Sequence, residues 1–264
     1  MKRVAVCLSG QPRTWKSCYP SWVELFKHWE IEPDFFCHIW DFNSPSSGLQ
    51  CQNPYEKLPD VEISDEEKAD IIATLNPKKI IFQSKKNIFG NFDAVPNQIG
   101  FWAHSQFYSM WRAANLKRQY EIENDFEYDV VIRMRSDNLF YGSPPQLPGK
   151  LAPSTLYSIY NVQVDPTAKA YRLADIFFIA DSLTYDHVAK FHDALHFIDK
   201  SHVMKNNTDG IFPEFPPECA LYYYCASIGI NNMVIPHTNI KIMRPPEHFL
   251  KTNELQHYET RQTP

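Results

Sequence analysis

Residues 128–140, YDVVIRMRSDNLF, constrain this chain more tightly than any other stretch. Positions 128–134 are mostly apolar at successive residues, so an extended strand here is apolar on both faces. Such a strand belongs in the middle of a sheet covered by helices on each side. Arg133, Arg135 and Asp137 then follow at alternate positions and share one face. Two guanidinium groups on one face of a buried strand are costly unless they meet carboxylates or phosphates. Two readings stand: ion pairing within the fold, with Asp137 or Asp129, or an anion site at the strand end. Arg133, deeper in the strand, fits the first better; Arg135 and Asp137 fit the second.

The first strand, at 3–8, raises the same question, because it runs straight into Ser9-Gly10-Gln11-Pro12-Arg13. Gly10 allows a ligand close to the backbone, Gln11 offers both a donor and an acceptor, and Arg13 can hold an anion in bidentate fashion. A plain β-turn with Arg13 on the surface is the alternative. A second buried strand at 34–40, DFFCHIW, ends in His38, Trp40 and Asp41, with His38 read as a packed or supporting residue. Ligands of open α/β sheets bind beyond the carboxyl ends of the strands. The candidate binding set is therefore Ser9, Gly10, Gln11, Arg13, His38, Trp40, Asp41, Arg133 and Arg135.

Elsewhere, apolar spacing predicts a helix over 20–29, and a capping box at Ser64 opens one running to about 75. A strand is expected at 79–83, with loops at 41–60 and 84–96. A long helix is expected over 97–120, with Ile99, Ala103, Phe107, Met110, Trp111 and Ala114 facing the sheet. Strands at 155–160, 174–180 and 231–235 and helices at 182–198 and 217–228 complete the reading. The expected fold is α/β: a single domain over 1–264 whose mixed, mostly parallel central sheet is flanked by helices. With 26 basic against 31 acidic residues the net charge is −5 and no basic block occurs, which argues against a nucleic-acid partner. No run approaches the roughly 18 apolar residues of a membrane span. Six cysteines without a C-x-x-C spacing point to a reduced, intracellular setting.

Asp137 is the candidate metal ligand, since Mg²⁺ or Mn²⁺ is held by one or two carboxylates together with phosphate oxygens. Arg135 and Ser136 stand where a second acid would be expected, so an arginine can take over the neutralisation of a leaving diphosphate. Asp175 and Glu218 are the candidate catalytic carboxylates, with Glu214 a third. Their structural alternatives are a strand-edge cap for Asp175 and a favourable helix-dipole position for Glu218. His237 could complete a metal site with Asp137. Tyr222, Tyr223 and Tyr224 read as helix packing, and exposed aromatics in 89–108 could stack on a sugar.

Taken in order, Ser9-Gly10-Gln11-x-Arg13, His38-x-Trp40-Asp41 and Tyr128 to Asp137 resemble a group of small GT-A-like glycosyltransferases of bacteria, phages and large viruses. Weaker matches at Ala174-Asp175-Ile176-Phe177 and Pro217-Glu218 extend the resemblance to about residues 3–235. It implies that the first loop holds a nucleotide and the acidic motif faces the diphosphate and metal, while a later carboxylate serves the acceptor. It further implies a nucleotide-diphosphate sugar as donor, a glycan or other hydroxyl acceptor, and a cytoplasmic setting. On this reading 1–140 form a donor half, 141–245 an acceptor half and 246–264 a tail. The chain departs from the pattern in having Arg135-Ser136-Asp137 in place of an acid pair. Two other classes remain: a sugar nucleotidyltransferase, whose first loop is usually glycine-rich with a following Lys, and a non-catalytic glycan- or nucleotide-binding module. The P-loop signature is absent.

Overall fold

The computed structural model describes residues 2–43, 61–84, 101–159, 161–165, 170–195, 217–235 and 239–243. Strand β1 (Val4–Gly10) leads into helix α1 (Trp15–His28), strand β2 (Asp34–Trp40) and a short pairing of β3 (Phe42–Asn43) with β4 (Val61–Glu62). Helix α2 (Asp65–Leu75), strand β5 (Lys79–Gln83) and the long helix α3 (Phe101–Asn124) precede β6 (Val130–Met134) and β7 (Asn138–Phe140). Then come β8 (Thr155–Ser158), β9 (Asn161–Asp165), β10 (Ala170–Leu173) and β11 (Phe177–Ala180). They are followed by α4 (Ser182–Ala189), α5 (Phe191–Ala194), α6 (Pro217–Ser227), β12 (Asn231–Val234) and β13 (Ile240–Ile242).

Seven strands form one sheet in the order β12-β8-β11-β6-β1-β2-β5. Every neighbouring pair is parallel except those made by β11, which runs antiparallel to both β6 and β8. The fold is thus the expected α/β type, and the strand carrying Arg133 lies in the middle of the sheet. From β1 the chain builds outward to β2 and β5 on one side, while β6 lies on the other. That is the topological switch point where crevices open in such sheets.

The sheet separates two apolar layers. Ala5, Cys7, Phe36, Val131 and Phe178 face α3, α4 and α6. Val6, Leu8, Cys37, Ile132, Met134 and Ile179 face α1 and α2. β6 is buried at all five positions, as the unbroken apolar run requires. Ser64 caps α2 by accepting the Glu67 amide at 3.1 Å, and Asn76 ends the helix in the left-handed conformation.

Some expected boundaries shift. α1 begins at Trp15 rather than at Pro20, which lies inside the helix. Burial of Trp15, Cys18, Trp22, Leu25 and Phe26 in one layer outweighs the backbone hydrogen bond that proline cannot donate. α3 extends four residues further than its apolar spacing indicates, to Asn124. The helix expected over 182–198 stops at Ala189, and the short α5 follows. Cys7, Cys18, Cys37, Cys219 and Cys225 are buried free thiols, and burial pushes Cys7 up to about 12. Among the described residues no helix is long and apolar enough to cross a membrane. Cys51, Glu214 and His237 lie outside the described residues, as do most of the loops 41–60 and 84–96.

Candidate functional site

The site forms where the carboxyl ends of β1 and β6 meet, and Asp137 is its centre. Its carboxylate is 1% exposed and accepts hydrogen bonds from two arginines. Arg135 donates Nε to Oδ1 at 2.9 Å and Nη2 to Oδ2 at 2.8 Å, a bidentate fork. Arg13 donates Nη1 to Oδ2 at 2.6 Å from across the switch point. The ion pairing with Asp137 that the sequence left open is therefore present, but at Arg135 and not at the deeper Arg133 for which it was the better fit, and it gathers a second arginine from the first loop.

Local structure explains why Arg13 arrives there. Gly10 ends β1 at φ +127°, a conformation that side-chain-bearing residues rarely adopt, and so turns the chain. Arg13 itself sits in the left-handed region at φ +48°, and its amide donates to Asn43 Oδ1 at 2.7 Å. A non-glycine residue held this way is a local strain maintained by its surroundings. Gln11 Oε1 accepts the Arg13 Nε at 3.2 Å, so Gln11 orients the arginine. The Ser136 hydroxyl donates to the Gln11 carbonyl, tying the two strand ends together.

The far side of Asp137 is equally fixed. Asn138 Oδ1 accepts the Arg135 amide at 2.7 Å, and Trp22 donates Nε1 to the Asn138 carbonyl at 2.6 Å. The Met243 amide donates to the Asp137 carbonyl at 2.8 Å.

Arg133 is 1% exposed and donates Nη1 to its neighbour's carbonyl, that of Met134, while its Nε has no partner. Burial holds the Arg133 guanidinium below its ordinary range. Burial acts on Arg135 in the same sense, but the charge and hydrogen bonds of Asp137 outweigh it and the net shift is upward. Ser9 lies one strand over from Arg135 in the register that pairs Cys7 with Arg133. Its Oγ is buried without a partner.

The two candidate catalytic carboxylates act electrostatically on the same arginine, Arg135. β11 runs antiparallel and Phe177 pairs with Met134, so Asp175, just before the strand, lies at the end where β6 finishes. Asp175 is 4% exposed and accepts the Gln106 amide at 2.5 Å. Burial pushes its pKa upward, opposed by Arg135, Gln106 and Arg133. Glu218, in the first turn of α6, acts electrostatically on Arg135 as well.

His38, Trp40 and Asp41 do not join this cluster. His38 is fully buried, with Nε2 bonded to Gln83 Oε1 at 2.6 Å and Nδ1 to the Ser109 hydroxyl at 2.8 Å. Trp40 is 1% exposed and stacks on Tyr108, ring centroids 5.8 Å apart. Asp41 links β2 to its neighbours through backbone bonds to Gln83 and Ile63. These residues hold the sheet edge beneath α3. Burial lowers His38 to about 4. Between about pH 6.5 and that value the unfolded chain takes up a proton that the fold refuses, so stability falls with falling pH. The slope is about 1.4 kcal/mol per pH unit. Thermal unfolding at pH 7, 6 and 5 should show this decline, and His38→Gln should flatten it. An identical slope in the variant would return the acid sensitivity to other groups.

Asp137 does not fit the role of Mg²⁺ or Mn²⁺ ligand that the sequence suggested. Both its oxygens already accept from guanidinium groups, and a cation there would lie against two positive charges. No trio of His, Cys, Asp and Glu side chains suited to a metal occurs among the described residues. Asn43 and Gln106 were not singled out in the sequence, because their contacts with Arg13 and Asp175 are tertiary. A groove of about 260 Å³ lined by Tyr222, Cys225, Ile230 and Asn232 lies towards the opposite end of α6 from Glu218.

No family model matches the sequence, and no curated protein does. Among solved structures, the chain is similar to a galactosyltransferase, LgtC, determined in complex with donor and acceptor sugar analogs. The TM-score is 0.42 at 12% identity, covering 87% of this chain and 72% of that one.

Proposed function

We propose that the protein is a glycosyltransferase that moves a sugar from a nucleotide-diphosphate donor to a glycan or other hydroxyl acceptor. The observation that carries this reading is the meeting of Arg13 and Arg135 on buried Asp137 at the switch point, with Asp175 and Glu218 close enough to act electrostatically on the same Arg135. The first loop and the end of β6 form the donor side, within 1–140. Asp175 and Glu218, within 141–245, form the acceptor side.

The chemistry needs a cationic group where the diphosphate leaves and a base where the acceptor attacks. As the bond between the anomeric carbon and the diphosphate oxygen breaks, the negative charge on that oxygen develops beside the guanidinium groups. The acceptor oxygen bonds to the anomeric carbon, and its proton passes to a carboxylate. Asp175 is the stronger candidate base, because burial raises its pKa towards neutrality, where a general base works well. Glu218 is the second.

Thermal unfolding against UDP, GDP, dTDP, CDP and CMP, each with and without Mn²⁺, tests the donor site. A ligand at about 100 times its Kd adds about 2.7 kcal/mol of stability. Stabilisation by one nucleotide identifies the base of the donor, and no stabilisation by any favours a glycan-binding module. Arg13→Ala should weaken the stabilising nucleotide by about 10- to 100-fold, the loss expected for a charge-assisted contact. Unchanged affinity would return the first loop to a structural turn.

A further inference from the structure

Resting on that reading, we infer that the site takes the donor diphosphate without a divalent cation: guanidinium groups neutralise it, and Asp137 is the pivot that sets them in place. The inference follows from which polar atoms are committed and which are not. At the buried Asp137 carboxylate, arginines supply two hydrogen bonds to Oδ2 and one to Oδ1. Both oxygens already accept guanidinium N–H groups, so a metal ion there would lie against two positive charges.

The uncommitted atoms around it are donors. Arg135 uses Nε and Nη2 on Asp137, and among the described residues its Nη1 makes no hydrogen bond, while the side chain retains 15% exposure. Ser9 Oγ and Arg133 Nε are buried and unpartnered. A phosphate oxygen accepts from the guanidinium N–H groups and from the Ser9 hydroxyl alike, whereas a cation is served only by the hydroxyl oxygen and is repelled by the guanidinium groups.

Charge points the same way. Arg133 lies in β6, two residues before Arg135, and forms no ion pair among the described residues. In a buried setting its field is weakly screened and reaches the end of the strand. It raises the positive potential at the mouth without needing to touch the ligand. An acid pair that attracts a metal is replaced here by an arginine pair that attracts the anion directly, with Asp137 preventing Arg13 and Arg135 from repelling each other apart.

Calorimetric titration of the full chain with inorganic pyrophosphate, and with the five nucleotides above, in EDTA and then in Mn²⁺, tests this. The expected result is a nucleoside diphosphate and pyrophosphate binding in EDTA with a Kd within about threefold of that in Mn²⁺. Binding that requires Mn²⁺ overturns the inference while leaving the transferase reading intact. Binding of CMP with no diphosphate overturns it as well, and binding of nothing in either condition overturns both. Arg133→Met should lower pyrophosphate affinity about tenfold with a Tm equal to or above that of the wild type. A fall in Tm with unchanged affinity would make Arg133 structural and remove its part in the site.

Discussion

Arg135→Ala is expected to lower donor turnover by about 100- to 1,000-fold in a protein that stays folded. The size follows from the general cost of removing one preorganised charge-stabilising donor from a site where charge develops. Arg135 supplies the fork that fixes Asp137, the uncommitted Nη1 at the mouth, and the positive charge that acts on Asp175 and Glu218. Its removal leaves Asp137 paired with Arg13 at 2.6 Å, so the buried carboxylate is not abandoned and the fold survives. Arg135→Lys should recover only part of the loss, because an ammonium restores charge but not the planar fork. The measurement is single-turnover hydrolysis or transfer of whichever nucleotide sugar stabilises the protein, with circular dichroism to verify folding. Full turnover in Arg135→Ala would remove the proposed site altogether.

The strand ends were legible in the sequence because their signal is local. An unbroken apolar run at 128–134 announces a buried strand, and a polar residue at its end has few structural excuses. Alternation alone predicts Arg133 and Arg135 on one face, although the strand itself ends at Met134. The antiparallel course of β11 was not legible: ADIFFIA reads the same in either direction, and only the pairing of Phe177 with Met134 carries Asp175 to the site. Trp40 was placed in the binding set for the opposite reason, while His38 is the packed residue it was read as. They stand at a strand end, as Arg135 does, but β2 lies beneath the first turns of α3, whose Tyr108 and Ser109 cover them. Which strand end stays open depends on where the following helix lands, and single-strand patterning does not encode that. The role of Asp137 turned on the same kind of fact, since a distant loop delivers Arg13 onto an oxygen that the sequence offered to a metal.

Lys117→Met is expected to destabilise the fold by about 3–5 kcal/mol, a fall in Tm on the order of 10 °C for a chain of this size. Lys117, on α3, is 0% exposed, and its Nζ lies 2.9 Å from both Glu121 and Asp186, with a further bond to the Ser182 hydroxyl. Glu121 also accepts the Tyr128 amide at 2.8 Å and the Ser182 hydroxyl at 2.6 Å, so the network fastens α3 to α4 and to the approach to β6. Removing the ammonium leaves two buried carboxylates facing each other, with Arg118 reaching only Asp186, at 3.1 Å. Nucleotide affinity of the folded variant should be unchanged, because Lys117 lies roughly 16 Å along α3 from Gln106, the helix's contact with Asp175. The comparison with Arg133→Met then separates two kinds of buried cation. One has carboxylate partners, and its loss exposes their charges to a low-dielectric interior. The other has none, and its loss relieves a desolvated charge while weakening the pull on an anion. Equal destabilisation by the two substitutions, read in parallel unfolding curves, would mean that Arg133 is held by the fold as Lys117 is, and the case for an anion-seeking strand end would have to rest on Arg13 and Arg135 alone.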